Sequence, residues 1–166
     1  MGVFGLFRRR GRFNKHKFQP DLWSVDDDNV IVMYFFGNIE LKCKYGKDME
    51  SLNSQERTFY VAQTLETEVN NGGFLQFFYN SSGCLGPEIV SAFKNIGAHR
   101  TANICRKALE IMGDEVPMDL QARREKLEQL GDDAFDACDD AFYEYEEDLT
   151  ALNCAYIRKN HHSFSM

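Results

Sequence analysis

The sequence predicts an all-α protein, a single-domain multi-helix bundle closed by a long C-terminal amphipathic helix. Three observations carry this expectation. From residue 54 onward, apolar residues recur at spacings of three and four, the period of a helix with one buried face. Gly and Pro stand where that period lapses: Pro87 and Pro117 at helix starts, and Gly97, Gly113 and Gly131 at helix ends. The chain has 166 residues, 43% of them apolar and 14 of them Phe, enough to bury one core without staples.

Residues 1–20 carry Arg8, Arg9, Arg10, Arg12, Lys15 and Lys17 with no acid, among Gly and Phe without period, and read as a flexible basic arm. Residues 21–160 form the expected helical domain, and 161–166 a tail. Asp26, Asp27 and Asp28 precede an unbroken apolar run over 30–36. Such a run suits a buried strand or a buried helix, and periodicity alone leaves both open. The acids ahead of it favour a helix start. Gly37-Asn38 ends or interrupts it, and 42–51 reads as a connector.

Asn53 or Ser54 caps the next helix, whose apolar stripe is Phe59, Ala62, Leu65 and Val69. Pro87 opens a helix carrying Ile89, Phe93 and Ile96. Ala102, Cys105, Leu109 and Met112 mark another, and Leu120, Leu127 and Leu130 a short one after Asp119. The last stripe is the most regular: Phe135, Cys138, Phe142, Tyr145, Leu149, Leu152 and Tyr156 alternate steps of three and four. It predicts one continuous helix from Asp132 to near Arg158. A homodimer seam is the rival use of the same heptad stripe.

Between the second and third of these helices lies the most distinctive segment, residues 66–83. Asn70-Asn71-Gly72-Gly73 stops a helix, because Asn and Gly tolerate the left-handed backbone that helix ends use. Phe74, Phe77 and Phe78 then drive a short second helix into the core, and the segment from Asn80 to Gly83 stops it. Glu66, Asn70, Gln76 and Asn80 surround the break. The expectation is that they hydrogen-bond the open backbone ends; a ligand pocket is the alternative.

The run Val69-Asn70-Asn71-Gly72-Gly73-Phe74, followed by Gln76, Phe77-Phe78 and Asn80, resembles the bacterial DNA-mimic protein nineteen, C-terminal-domain-like family. Ile96-Gly97-Ala98 and, more weakly, Phe142-Tyr143 and Tyr156-Ile157 extend the resemblance over about residues 54–160. It implies a helical fold and, for the protein that names the family, an acidic surface that occupies a DNA-binding partner. It implies no catalytic residue.

The net charge of −7 disfavours non-specific binding to nucleic acid, but the charge is divided between two poles. The basic pole is the arm, which suits phosphate or an anionic membrane. The acidic pole is residues 132–148, with nine Asp and Glu and no base. Asp136, Asp140, Glu144 and Glu147 fall on one side of the expected helix, where steps of four residues advance about 6 Å. Like charges at this spacing oppose helix formation by about 0.2–0.5 kcal/mol per pair, which invites a functional reason. A solvated face is the plain alternative. Five scattered cysteines without a C-x-x-C pair suggest neither a zinc site nor a redox motif and suit a reducing cytoplasm. No metal-ligand, P-loop or nucleophile-elbow pattern occurs, and no apolar run is long enough for a membrane span.

These features favour a non-enzymatic, cytoplasmic acidic protein-binding domain without a cofactor or metal. Asp132, Asp133, Asp136, Asp139, Asp140, Glu144 and Glu147 would meet a basic protein partner, in the sharpest version a DNA-binding protein for which this chain competes with nucleic acid. The acidic face itself would bind no nucleic acid. An antidote-type interaction module unrelated to DNA, and an enzyme with a pocket around 66–80, are the other readings.

Overall fold

The computed structural model describes residues 22–113 and 115–164, so the basic arm and the last two residues of the tail lie outside the described residues. Seven α-helices form the described chain, and no strand occurs among the described residues.

Helix α1 (Asp28–Lys42) starts on Asp27, whose carboxylate accepts the N–H groups of Asn29 and Val30 at 3.0 and 3.2 Å. The apolar run over 30–36 is therefore helix, and its inner residues Ile31, Val32, Phe35 and Phe36 are buried. Gly37-Asn38 does not stop it, contrary to expectation. The Asn38 amide bonds back to the Tyr34 carbonyl at 2.7 Å, so it is satisfied without breaking the helix. The end comes later, where Lys44 and Tyr45 take positive φ values of 52° and 57°.

Helix α2 (Ser54–Tyr79) opens with a reciprocal cap. Asn53 accepts the N–H groups of Gln55 and Glu56, while Glu56 accepts the Asn53 N–H and also pairs with Lys42 Nζ at 2.7 Å. The expected stripe Phe59, Ala62, Leu65 and Val69 is wholly buried. The helix breaks where the Asn-Gly motif requires: Gly72 and Gly73 leave helical geometry, and Gly73 has a φ of 73°. Its second half carries Phe74, Phe77 and Phe78, all fully buried.

Helices α3 (Gly86–Ile96), α4 (His99–Met112) and α5 (Leu120–Leu130) follow the expected starts and stops. Leu120, by contrast, is 36% exposed.

The long C-terminal helix is not continuous. The chain forms α6 (Asp136–Tyr143) and α7 (Leu149–Lys159), separated by a turn in which Tyr145 has a φ of 45°. The unbroken heptad stripe hides two competing caps. Asp148 accepts the Ala151 N–H at 2.9 Å and starts α7 anew. Glu147 leaves the helix line to cap α4, as described below. The two halves accordingly pack in different places: α6 lies on α2 and α4, and α7 mainly on α1. Of the stripe, Phe135, Cys138, Phe142 and Leu149 are buried inside the fold, Leu152 and Tyr156 are half-buried, and Tyr145 is exposed.

Helix α2 is the central element, covered by α1, α3, α5, α6 and α7. Phe74 meets Phe135 and Phe142 with ring centroids 6.5 and 5.9 Å apart, and Phe78 meets Phe135 at 5.4 Å. Residues 161–164 of the expected tail are docked: Phe164 is buried against Phe35, Phe59 and Tyr156. No helix among the described residues is long and apolar enough to cross a membrane.

Candidate functional site

Two regions drew attention in the sequence, the broken helix and the acidic run, and the fold joins them. Breaking α2 at Gly72-Gly73 leaves an orphan carbonyl on one side and an orphan N–H on the other. Helix α6 answers both from one face. Tyr143 Oη donates to the Val69 carbonyl at 2.6 Å, and Asp139 Oδ1 accepts the Phe74 N–H at 2.8 Å. A Cβ on Gly73 would lie 2.2 Å from Asp139 Oδ2, so that position requires Gly for space as well as for its positive φ. Burial pushes the Asp139 carboxyl above the usual range against the pull of the Phe74 N–H, and the neighbouring Asp136 and Asp140 charges push the same way.

The polar residues of the motif do not cap the open backbone ends, contrary to expectation. They bond to side chains instead. Gln76 and Asn80 both donate to Glu68 Oε2, at 2.8 and 2.9 Å, and Ser82 donates to Glu68 Oε1 at 2.7 Å. Glu66 is buried and accepts from Tyr145 Oη at 3.1 Å and from Gln63 Nε2 at 3.3 Å, while Asn70 donates to Tyr145 Oη at 2.6 Å. Burial raises the Glu66 carboxyl, with Asp148 adding and the Tyr145 and Gln63 bonds opposing. The carbonyls at the C-terminal end of α2 belong to α5. Arg123, buried to 1% exposure, donates to Phe78 O, Asn80 O and Pro117 O at 2.6, 2.8 and 2.7 Å. A Cβ on Gly83 would lie 2.5 Å from Arg123 Nε, which accounts for that glycine by contact alone.

The acidic run divides by role. Glu147 caps α4, whose own N-cap residue Ala98 supplies no side chain: it accepts the Arg100 and Thr101 N–H groups at 3.0 and 2.9 Å and the Thr101 hydroxyl at 2.9 Å. Burial works to raise its pKa, but these donors outweigh it, and the Glu147 carboxyl lies below the usual range. Glu146 pairs with Arg100. Asp139 and Asp148 have the capping tasks already given. Asp136 and Asp140 on α6 and Glu144, the C-cap residue that follows it, remain in one row at steps of four residues, all exposed, with exposed Asp132 and Asp133 in the turn before the helix. None of these five makes a side-chain hydrogen bond or ion pair among the described residues. Glu147 does not extend the row, because its carboxylate turns toward α4.

Sequence reasoning missed Glu68, Arg123 and Tyr143. Arg123 lies on the leucine face of α5, one turn before Leu127, and is buried with it, where a cation is not expected. Asp139 and Tyr143, four residues apart on one helix face, were a legible pair in hindsight, but nothing local names their partner 65 or more residues away.

The assembled features define an all-α domain with a broken central helix, braced by an acidic helix that keeps a row of carboxylates toward solvent. The chain belongs to the family described as DMP19-like protein, whose model matches residues 50–160. No curated protein and no solved structure matches it.

Proposed function

We propose that this protein acts by binding and not by catalysis. Its row Asp136, Asp140 and Glu144, with Asp132 and Asp133, would meet a basic protein partner in place of nucleic acid phosphates. One observation carries this reading. Within the acidic run the fold employs Asp139, Glu146, Glu147 and Asp148, and leaves five exposed acids without an ion pair among the described residues. An (i, i+4) carboxylate row disfavours its own helix, so its retention on a helix that also braces the core favours an external role. Steps of about 6 Å along the row suit a surface that otherwise engages a phosphate backbone. Family membership supports the DNA-competing version over a general interaction module. The polar residues of 66–80 are engaged with one another, which favours scaffold over catalysis there. Five free thiols suit a reducing compartment such as the cytoplasm.

The test is affinity capture from an extract of the source organism, with wild-type protein and the variant D136K/D140K/E144K as parallel baits. A basic protein retained by the wild type, lost by the variant and eluted by duplex DNA supports the reading. Equal capture by both baits defeats it.

A further inference from the structure

Away from the acidic helix, a cavity of about 310 Å3 opens between α1, the turn after it and the first half of α2. One wall is Phe36, Glu40 and Tyr45, from the part of the chain that precedes the family match; the other is Tyr60, Thr64 and Glu68. The volume falls at the lower end of small-molecule sites, about 300–1,000 Å3.

Its lining has a consistent chemistry. Phe36 and Tyr60 present their rings with centroids 5.9 Å apart at 31°, and Tyr45 stands exposed at the mouth. Glu40 is partly buried, and its carboxylate makes no side-chain hydrogen bond or ion pair among the described residues. Burial accordingly raises its carboxyl. Glu68 is a second carboxylate, bonded among the described residues by the neutral donors Gln76, Asn80 and Ser82. Thr64 Oγ1 is buried in the wall, with the Tyr60 hydroxyl as a polar neighbour but no hydrogen bond of normal geometry, so its acceptor lone pairs are open to the cavity. Lys44 and Tyr45 both hold positive φ, a consecutive non-glycine strain that puts Tyr45 at the mouth. Aromatic faces, an uncompensated carboxylate and an unpaired acceptor together fit a cation that carries both N–H groups and an apolar tail.

We propose that this cavity binds a small primary alkylammonium ion. Its charge lies against Phe36, Tyr45 and Tyr60 and is neutralised by Glu40, one N–H is donated to Thr64 Oγ1, and the alkyl tail lies on Leu85. Lys47, the one cation among the described lining residues, is exposed and opposes binding.

The test is titration of the full chain with n-butylammonium chloride, followed by amide NMR shifts, with 1-butanol as the neutral isostere at matched ionic strength. Saturable shifts at Tyr45, Thr64 and Ser82 with the ammonium and not with the alcohol are expected. Glu40→Gln should weaken binding about tenfold and Thr64→Val should weaken it less, both with unchanged thermal melting. Lys47→Ala should tighten it. Equal shifts with 1-butanol, binding indifferent to Glu40→Gln, or no saturable shift through the millimolar range would overturn the proposal.

Discussion

Asp139 accepts the backbone N–H of Phe74 at 2.8 Å, across 65 positions of sequence, and so supplies from α6 the cap that the second half of α2 lacks. The contact makes an acidic residue of a solvent-rich helix part of the core's construction. Asp139→Ala should cost about 1–2 kcal/mol, the usual range for a lost helix cap, and Asp139→Asn less because an acceptor remains. Gly73→Ala should cost more than either, since its Cβ would displace the same carboxylate and its φ is 73°. Urea denaturation of the three variants checks the order. Equal stability of Gly73→Ala and wild type would show that the break is not held in this way.

Arg123 is a buried cation whose hydrogen-bond partners among the described residues are carbonyls, at Phe78, Asn80, Pro117 and Met118. Removing it strands several acceptors at once, each worth about 1–3 kcal/mol when left unsatisfied. Arg123→Ala should therefore destabilise by more than about 3 kcal/mol. Arg123→Lys should recover only part of this, because an ammonium lacks the planar fork that reaches carbonyls on both sides. Chemical denaturation of both variants distinguishes this from a role in packing alone, for which Arg123→Met would match wild type.

Glu66 and Glu147 should give opposite pH dependences. Burial raises the Glu66 carboxyl, so the stability it permits is fully present below the ordinary carboxylate pKa and is lost as pH rises through the folded value. Glu66→Gln keeps an acceptor for Tyr145 without a buried charge, and should be neutral or stabilising by up to about 1 kcal/mol at neutral pH. Glu147 is lowered, so its contribution is present above the ordinary carboxylate value and is lost as pH falls through the folded one. Glu147→Gln should cost about 1–2 kcal/mol at neutral pH, with the difference from wild type vanishing in acid. Melting curves of both variants across the acid range check the two signs. Parallel profiles would contradict the account.

Much of the fold was legible because its signals are local. The Asn53–Glu56 capping box, the stripe from Phe59 to Val69 and the stop at Gly72-Gly73 each depend on neighbours within a turn or two. What was hidden is long-range. The stripe from Phe135 to Tyr156 keeps a helical period across a real break, because Tyr145 serves Glu66 and Asn70 while Glu147 serves α4. Periodicity reports which residues are apolar, and it is blind to a distant N–H that draws a carboxylate out of line. The acidic residues were visible as a group for the same reason, whereas their division into caps and free charges follows only from the fold. Glu68 escaped notice because its three donors lie eight to fourteen residues ahead, beyond any helical neighbour.

The exposed row should be dispensable for folding. D136K/D140K/E144K exchanges one like-charge row for another at the same four-residue spacing, so that repulsion is kept, and the dipole cost of a cation at position 136 in the first turn of α6 is offset by a cation at position 144 at its C-terminal end. Its melting temperature should match wild type within a few degrees by circular dichroism. A variant that fails to fold would place these acids in the scaffold.

The central claim is that the row and DNA occupy the same place on a basic partner. Its most direct measurement is the binding of fluorescently labelled duplex DNA to the captured partner while this protein is titrated in, repeated over a range of salt concentrations. The account expects mutual exclusion, an affinity of protein for partner that falls steeply as salt screens charges beyond about 8–10 Å, and no displacement by D136K/D140K/E144K. A ternary complex of DNA, partner and this protein, formed equally well at high salt, would contradict it.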